Sequence, residues 1–324
     1  MSNNANSIAV LTSGGDAPGM NAAVRAVVRS AINRNLQVYG VKRGYNGLLN
    51  GDVVEMNLRS VSDIINRGGT ILYTARSEEY NTPAGVKKAA DYCRSLGVKG
   101  VVVIGGDGSF RGARDLSGAG IPCVGIPGTI DNDIACSEYT IGFDTAMNTA
   151  LEMVDRIRDT AQSHDRCSIV EVMGRRCGDI ALQTGIACGA TSILVPEKPH
   201  DIDTMVVDKI LNTKATGKKH FIVVVAEGVG GTAEMAKYVQ EKTGIETRAT
   251  VLGHVQRGGC PTLRDRVMAS AMGHHAVELL YNNIGNRVCA LQNGKIVDLD
   301  ITEALSMQRV FDDELYNIAM DVSI

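Results

Sequence analysis

The sequence predicts an α/β fold with doubly wound layers. Short runs rich in Val and Ile recur along the chain, and each is followed by a glycine turn and then by a stretch with helical spacing. These runs are continuously apolar rather than alternating, which is typical of strands buried on both faces of a parallel sheet. The chain has 324 residues, a length that favours two domains over one.

The elements follow one another in a regular order. The strand-like runs with their turns are SIAVLTSGGD (7–16), VVVIGGDGS (101–109), CVGIPGTID (123–131), CSIVEVMGR (167–175) and FIVVVAEGVGG (221–231). The stretches with helical spacing include 21–35, 82–97 and 145–161. Ligands of open parallel sheets bind beyond the carboxyl ends of the strands, where these turns lie. Glycine there lets main-chain amides approach a phosphate group, so we expect the turns to share a phosphate-binding cleft.

Composition excludes several classes of protein. The net charge of −3 and the pI of about 6.1 give no indication of nucleic-acid binding. No apolar run approaches the length of a membrane span, and the first residues, MSNNANS, lack the pattern of a signal peptide. The eight cysteines never form CxxC, so we predict reduced, mostly buried thiols in a cytoplasmic protein rather than a disulfide framework or metal cluster.

The first turn, TSGGDAPGMN (12–21), has glycines at 14, 15 and 19. It matches neither the P-loop, since it has no lysine, nor the dinucleotide-binding GxGxxG pattern. The next strand, LQVYGVKRG, ends without the acid that would hold a dinucleotide ribose. A phosphate-facing turn at a helix N-terminus is the favoured interpretation, and an ordinary strand-to-helix turn is the alternative.

The turn GGDGS (105–109) places Asp107 among glycines. A carboxylate beside amides that attract anions would repel a phosphate unless a cation bridges the two. Mg²⁺ held by one carboxylate and by nucleotide phosphates resolves this conflict. An ordinary Asp-Gly turn is the alternative.

The turn PGTIDND (127–133) supplies Thr129, Asp131 and Asp133. One of the aspartates has the chemistry of a general base that takes a proton from a hydroxyl group, and the other could orient it or hold a metal-bound water. Asp-Asn-Asp is also a common turn sequence, but the neighbouring GGDGS turn favours a functional role.

Arginines follow several strands or glycine turns, at positions 76, 166, 175, 248 and 257. Each alone is typical of a solvated surface residue. Together they suit a second phosphate group, so the residues indicate Mg-nucleotide phosphoryl transfer to a phosphorylated acceptor. Arg25 and Arg29 share one helix face and repel each other by about 0.2–0.5 kcal/mol. A bound anion would offset this repulsion, and a solvated basic stripe is an equal alternative.

Taken together, the motifs closely resemble those of bacterial ATP-dependent 6-phosphofructokinases over essentially the whole chain. The fragments that carry the resemblance are TSGGDAPGMNA, RGGTILYTAR, VVIGGDGSF, PGTIDND, IGFDTA, EVMGR, VAEGVG and VLGHVQRGG. The resemblance implies two doubly wound α/β domains with the active cleft between them, and a cytoplasmic homotetramer whose active sites are shared between subunits. It implies a larger ATP-binding domain of residues 1–142 plus 256–305, and a smaller sugar-phosphate-binding domain of residues 143–255 plus 306–324.

The resemblance also implies roles for individual residues. The residues expected at ATP are Gly15, Arg76, Ser77, Gly106, Asp107, Gly108 and Ser109, with Asp107 at Mg²⁺. The residues expected at fructose 6-phosphate are Thr129, Ile130, Asp131, Arg166, Met173, Gly174, Arg175, Glu227, Arg248, His254 and Arg257. Among these, Arg166 and Arg248 would reach into a neighbouring subunit's site. The residues expected in catalysis are Asp131 as the base, Thr129, and Arg76 and Arg175 at the transferring phosphoryl group.

An effector site for ADP or phosphoenolpyruvate is implied as well. Its expected residues are Arg25, Arg29, Arg158, Lys218, Lys219 and His220. Two positions depart from the family pattern: Thr191 replaces a glutamate that holds the effector's Mg²⁺, and Leu58 replaces an arginine found in some members, with Arg59 beside it. We therefore expect a pocket that attracts anions but responds weakly to Mg-ADP.

The predicted reaction is ATP-dependent phosphorylation of fructose 6-phosphate in glycolysis. Three alternatives stay open at this point: a pyrophosphate-dependent enzyme of the same fold, a dinucleotide or lipid kinase, and a catalytically silent nucleotide-binding regulator. Pyrophosphate users of this family resemble the chain but carry aspartate where Gly108 stands and lysine where Gly128 stands. The two glycines favour ATP as the donor.

Overall fold

Two sheets organise the computed structural model, which describes residues 7–323. Each sheet belongs to its own compact unit. Unit 1 comprises the residues up to Thr145 together with Arg257–Arg309, and unit 2 comprises Ala146–Gln256 together with the residues from Val310 onward. The chain thus passes between the units three times.

Unit 1 is built on a seven-stranded sheet in the order β11-β10-β5-β4-β1-β2-β3. Its strands are β1 (Ser7–Ser13), β2 (Gln37–Val41), β3 (Val53–Met56), β4 (Val98–Gly105), β5 (Cys123–Pro127), β10 (Arg287–Gln292) and β11 (Lys295–Asp300). The five central strands are parallel, and the edge strands β3 and β11 are antiparallel to their neighbours. All seven residues of β1 are buried, as the continuously apolar runs predicted.

The helices of unit 1 cover this sheet. They are α1 (Met20–Ile32), α2 (Tyr45–Asn50), α3 (Pro83–Leu96), α4 (Asp107–Gly118), α9 (Leu263–Tyr281) and α10 (Ile301–Ser306), and α5 (Phe143–Ser163) begins here and continues into unit 2. Helices α1 and α9 pack against each other, and alanines and glycine allow the close approach, since a Cβ at Gly273 would lie 2.7 Å from that of Ala26.

Unit 2 is built on a four-stranded, all-parallel sheet in the order β7-β8-β6-β9. Its strands are β6 (Cys167–Val172), β7 (Ser192–Leu194), β8 (Phe221–Ala226) and β9 (Thr247–Val251). Its helices, besides most of α5, are α6 (Asp179–Ala187), α7 (Asp208–Ala215), α8 (Thr232–Thr243) and α11 (Asp313–Val322). The apolar residues of β6 and β8 form the core of this unit.

The structure confirms the α/β class with mainly parallel sheets, and it confirms the three helices expected within 21–35, 82–97 and 145–161. All eight cysteines are free, and six of them are buried, while Cys188 is half-buried and Cys260 is exposed. Within residues 7–323, no helix has both the length and the apolar character that a membrane crossing needs.

Candidate active site

Three turns of unit 1 lie side by side because the register of the sheet aligns the strands that precede them. Ser13 of β1 is paired with Gly105 of β4, and Gly105 is paired with Pro127 of β5. The β1 turn (residues 12–16), the β4 turn (105–109) and the β5 turn (127–133) therefore leave the sheet at one level. A Cβ at Gly14 would lie 3.4 Å from Ser109 Oγ, and one at Gly106 would lie 3.9 Å from Thr129 Cβ.

The β4 turn opens directly into helix α4. Ser109 donates the first main-chain bond of this turn, to Gly106 O at 2.9 Å, so the helix itself leaves the amides of Asp107 and Gly108 free. Free amides at a helix N-terminus attract anions. Apart from the main chain of α4 itself, no atom of residues 7–323 lies within 4 Å of the position that a Cβ on Gly108 would take, so the space beside Gly108 is open.

Two stacked tyrosines hold the first turns of α4 in place. The rings of Tyr45 and Tyr80 lie 4.0 Å apart between centroids, and both residues are buried. Tyr45 donates its hydroxyl to Ser109 O at 2.6 Å, and Tyr80 donates to Gly112 O at 2.8 Å. Burial raises the pKa of both phenols, which therefore remain protonated donors. The amide-lined end of α4 is thus fixed before any ligand arrives.

Asp107 is the first residue of α4. Its side chain is 47% exposed, and its Oδ2 accepts a hydrogen bond from Arg111 Nε at 3.0 Å, one turn further along the helix. Residues 7–323 hold no group of three or more His, Cys, Asp or Glu that could bind a metal by themselves. A cation at Asp107 would therefore need its other ligands from phosphate and water, which is how Mg²⁺ is usually bound with nucleotides.

The β5 turn buries one of its two acids. Asp131 is 1% exposed, and Thr129 donates its hydroxyl to Asp131 Oδ2 at 3.3 Å while accepting the Asp131 amide at 3.2 Å. Thr140 donates to Thr129 O at 2.7 Å and so braces the same turn. Asp133 is partly exposed. Asp131 is thus held in one orientation by its neighbours, as a general base requires.

The segment that carries Arg76 and Ser77 is tied to the β1 turn. Thr74 donates its hydroxyl to Gly14 O at 2.6 Å, and Thr12 donates to Tyr73 O at 2.9 Å. Ser77 Oγ accepts the amide of Tyr80 at 3.3 Å. Arg76 itself is exposed.

Arg257 lies against the β1 turn of its own unit. Its Nη1 donates to Asp16 O at 3.2 Å, and a Cβ at Gly15 would come within 2.5 Å of that same nitrogen. The guanidinium of Arg257 thus packs directly on Gly15, and a larger residue there would displace it. The sequence grouped Arg257 with the sugar-phosphate residues and did not predict this contact.

In unit 2, the turn after β6 (residues 173–175) is bound by side chains from both neighbouring strands. Glu227, directly after β8, accepts the amides of Gly174 at 3.1 Å and Arg175 at 2.5 Å. Gln256, beyond β9, accepts the amide of Met173 at 2.8 Å. The side chain of Arg175 is exposed. No role was predicted for Gln256, because nothing in HVQRGG indicates which of its polar residues is buried.

His254 and two further arginines complete the predicted sugar-phosphate set of this unit. His254 is exposed in the short helical turn Gly253–Arg257. Arg166 and Arg248 both pair with Glu246, with nitrogen–oxygen distances of 2.8 Å. Hydrogen bonds from Arg166 and then Arg248 hold the pKa of Glu246 below its usual value. Glu246 thus forms ion pairs with both arginines, which the sequence analysis had assigned to a phosphate group.

The predicted effector residues of unit 2 form a basic cluster. Lys218 Nζ lies 3.5 Å from Thr191 Oγ1, and Arg158 donates to Cys188 O. Burial, followed by the charge of Arg158, lowers the pKa of Lys218. Burial, followed by Lys218 and Arg158, lowers the pKa of His220. Lys219 is exposed.

The effector residues predicted in unit 1 lie on and near α1. Burial, followed by the charge of Arg29, lowers the pKa of Arg25, so the expected repulsion is present. Arg29 and Leu58 line one cavity of about 450 Å³, and Arg59 is exposed beside it.

The fold and these turns define a phosphoryl-transfer enzyme of the α/β class. An amide-lined helix start with an acid stands next to a buried carboxylate, and Arg257 lies against the neighbouring β1 turn. The chain belongs to the phosphofructokinase family, whose model matches residues 7–280. The family predicted from the motifs is therefore confirmed.

Individual relatives agree with this assignment. The chain is 60% identical to an ATP-dependent 6-phosphofructokinase of Clostridium botulinum over 316 residues, which cover 98% of this chain and 99% of the relative. It is similar to the phosphofructokinase structure from Saccharomyces cerevisiae, with a TM-score of 0.86 and 34% identity over 98% of this chain. It spans 46% of that yeast chain, or about half.

A third likeness concerns the fold alone. The structure of a pyrophosphate-dependent phosphofructokinase from Marinobacter aquaeolei has a TM-score of 0.84 and 21% identity, over 95% of this chain and 86% of the other.

Proposed function

We propose that this chain is an ATP-dependent 6-phosphofructokinase of glycolysis. It transfers the γ-phosphoryl group of ATP to the 1-hydroxyl of fructose 6-phosphate, giving fructose 1,6-bisphosphate and ADP. The observation that carries the proposal is the adjacency of the β4 and β5 turns, which sets an open, amide-lined helix start beside the buried carboxylate of Asp131. The name of the Clostridium relative supplies the two substrates.

The proposed ATP site lies in unit 1. Its members are Gly15, Arg76, Ser77, Gly106, Asp107, Gly108 and Ser109, all on the turns described above. The free amides of α4 face the phosphates, and Asp107 holds Mg²⁺ together with them. When bound, Mg²⁺ neutralises phosphate charge and polarises the γ-phosphoryl group.

A cavity further along α4 suits the base of the nucleotide. It has a volume of about 730 Å³, and its lining includes Asn81, Val86 and Asp115. Asp115 stands eight residues after Asp107, which is about 12 Å along a helix. A nucleotide with its phosphates at the start of α4 can place its base at such a distance.

The residues proposed for fructose 6-phosphate are those that the family resemblance assigns to it. They are Thr129, Ile130, Asp131 and Arg257 in unit 1, and Met173, Gly174, Arg175, Glu227 and His254 in unit 2. Arg166 and Arg248 serve the site of a neighbouring subunit in a homotetramer, where a substrate phosphate replaces Glu246 as their partner. The arginines suit this role because a guanidinium binds phosphate bidentately.

The residues divide the chemistry among them. The oxygen of the 1-hydroxyl attacks the γ-phosphorus, its proton passes to Asp131, and the bond from the γ-phosphorus to the bridging oxygen breaks to release ADP. Thr129 keeps Asp131 oriented. Arg76 and Arg175 offset the charge on the transferring group, and such positioning and charge stabilisation account for most of phosphoryl-transfer catalysis.

We further propose a cytoplasmic, regulated enzyme with an anion pocket for ADP or phosphoenolpyruvate. The residues that the family resemblance assigns to it are Arg25, Arg29, Arg158, Lys218, Lys219 and His220. The lowered pKa values of Lys218 and His220 support a cluster that an anion would stabilise. Thr191 offers a hydroxyl where a carboxylate would bind a metal better, so Mg-ADP is expected to act weakly.

One assay tests the proposal. ADP release is measured with fructose 6-phosphate and ATP, and phosphate release is measured with pyrophosphate in place of ATP. Turnover with ATP alone supports the proposal, and comparable turnover with pyrophosphate contradicts it. The fold is shared with a pyrophosphate-dependent enzyme, so the donor has to be measured. An acceptor screen would reveal a lipid or dinucleotide kinase, and absence of turnover on every acceptor would indicate a silent regulator.

A further inference from the structure

The turn after β6 has no free amide to offer a ligand. Its three successive N–H groups, at residues 173, 174 and 175, all donate to side-chain oxygens of Gln256 and Glu227. Turns at the ends of parallel strands usually present such amides to phosphates. Here the strands on both sides of β6 supply the acceptors instead.

The orientation of the Gln256 side chain follows from this bonding. An amide N–H can donate only to the carbonyl oxygen of glutamine, so the atom that faces Met173 N at 2.8 Å is Oε1. Gln256 is 0% exposed, and its Nε2 has no hydrogen-bond partner within residues 7–323. The hydrogen bond from Met173 N therefore satisfies the acceptor of this buried side chain.

The same turn has a demanding main-chain conformation. Gly174 has φ 139° and Arg175 has φ 54°, a left-handed value that is unfavourable for a residue with a side chain. A Cβ at Gly228 would collide with the main-chain oxygen of Arg175, so the turn after β8 packs directly on this turn. Strained conformations persist where neighbours over-determine them, and here Gln256 and Glu227 do so.

Gln256 also lies two residues after another predicted substrate residue, His254. His254 and Gln256 share the short helical turn Gly253–Arg257, so a shift of Gln256 would move both the β6 turn and His254. The contact joins two fragments of the predicted sugar-phosphate site, EVMGR and HVQRGG, through one buried hydrogen bond.

We propose that Gln256 is a positioning residue for the sugar phosphate: with Glu227 it closes the amides of residues 173–175, so that the turn presents the side chain of Arg175 and not its main chain. This inference rests on the proposed function for its substrate. At this turn, the guanidinium of Arg175 recognises the substrate. Gln256 itself does not contact the substrate.

The test replaces Gln256 by methionine, which has a similar shape but no acceptor for Met173. We expect the KM for fructose 6-phosphate to rise about 5- to 100-fold, the equivalent of leaving one buried amide unsatisfied. The KM for ATP should stay within about twofold, because the proposed ATP residues lie in unit 1. A purely structural role would instead lower the fraction of folded, active enzyme, with the KM for fructose 6-phosphate and the kcat per active site unchanged.

A rescue variant and a matched control sharpen the test. Gln256→Glu restores an acceptor for Met173 and should recover most of the affinity for fructose 6-phosphate. Thr243→Val removes a different buried side-chain acceptor of unit 2, one that bonds to Ile245 N at 3.2 Å, and should leave both KM values unchanged. Equal KM changes in Thr243→Val and Gln256→Met would overturn the proposal.

Hydrogen exchange separates this inference from the proposed function. In Gln256→Met, amide exchange of a peptide spanning residues 167–177 should accelerate, whatever substrate the enzyme uses. Unchanged exchange there would overturn the positioning role. If the unmodified protein fails to phosphorylate fructose 6-phosphate while exchange responds as expected, the proposed function fails and the closed turn stands.

Discussion

The turns after β4 and after β6 begin from nearly the same sequence pattern and end with opposite chemistry. Both follow a buried parallel strand and both contain glycine. After β4, the amides of Asp107 and Gly108 are left open at a helix N-terminus, and the turn carries an acid. After β6, three amides are closed by Glu227 and Gln256, and the turn carries an exposed arginine. Under the proposed function, the first turn would bind an anion through its main chain and the second through a side chain.

The difference arises from neighbours and not from the turns themselves. The segments that follow the two strands beside β6 supply a carboxylate and an amide oxygen that accept the amides of its turn. The turn beside that of β4 uses its side chains within itself, as Thr129 does in bonding to Asp131. A strand followed by glycines therefore specifies a place for a ligand, and the adjacent strands decide how the ligand is held.

The largest expected effect lies at the acid beside the open turn. Asp131→Ser should lower kcat by about 10²–10⁴-fold, because it removes a positioned base. Nucleotide binding should persist, since the amides of α4 are untouched. Steady-state kinetics and ATP titration check this, with Asp91→Ser on the surface of α3 as the control. Near-normal turnover of a folded variant would remove Asp131 from the role of base.

The second prediction concerns Asp107, the acid of the open turn after β4. Asp107→Ala should raise the Mg²⁺ concentration required and lower kcat by about 10²–10³-fold, the range for removing one preorganised electrostatic group. The comparison predicts no such metal dependence at the β6 turn, which has no carboxylate facing outward.

Arg111→Gln serves as the control for that experiment. It removes the partner of Asp107 and leaves the carboxylate, so the Mg²⁺ requirement should fall slightly or stay the same. If Asp107→Ala shows an unchanged Mg²⁺ titration, the acid is only a turn residue.

The third prediction concerns a negative charge introduced at Gly108, which should repel a phosphate from the turn after β4. Gly108→Asp should raise the KM for ATP by roughly 10- to 100-fold, because a carboxylate then faces the phosphates at close range. The fold should tolerate the change, since a Cβ at Gly108 meets no atom within 4 Å. Gly108→Asn adds the same bulk without charge and should have a smaller effect. Equal effects of the two variants would show that space and not charge matters there.

The smallest effect is expected at the basic cluster, which resembles the β6 turn in using side chains for an anion. The unmodified protein should show little change in fructose 6-phosphate saturation on adding ADP, at ATP high enough to prevent competition at the active site. Thr191→Glu should introduce a several-fold shift in apparent affinity, equivalent to a coupling of about 1–3 kcal/mol. Strong activation by ADP without the substitution would show that Thr191 does not weaken the response.

Much of this arrangement could be predicted from local sequence. The Val- and Ile-rich runs predicted the strands, and glycines at their ends predicted the turns that the register of β1, β4 and β5 brings together. The pairing of Thr129 with Asp131 is also local, since the two residues are two positions apart in one turn.

Contacts between distant segments could not be predicted in this way. Tyr45 and Tyr80 meet α4 from separate elements, and only the fold brings their hydroxyls to Ser109 and Gly112. The burial of Gln256 depends on the packing of β6 and β9, and the contact of Arg257 with Asp16 spans most of the chain. Neither hydrophobic periodicity nor the spacing of motifs indicates contacts between segments that are so far apart in the sequence.

The cysteines differ in burial, so a thiol reagent should react selectively at the exposed Cys260. Burial raises the pKa of Cys93 and of Cys167 to about 12 and that of Cys136 to about 11, so these thiols hold little of the reactive thiolate near neutral pH. Cys260 is the one exposed cysteine of the eight, and it lies three residues after Arg257. A maleimide fluorophore should therefore attach first at Cys260 in the unaltered sequence.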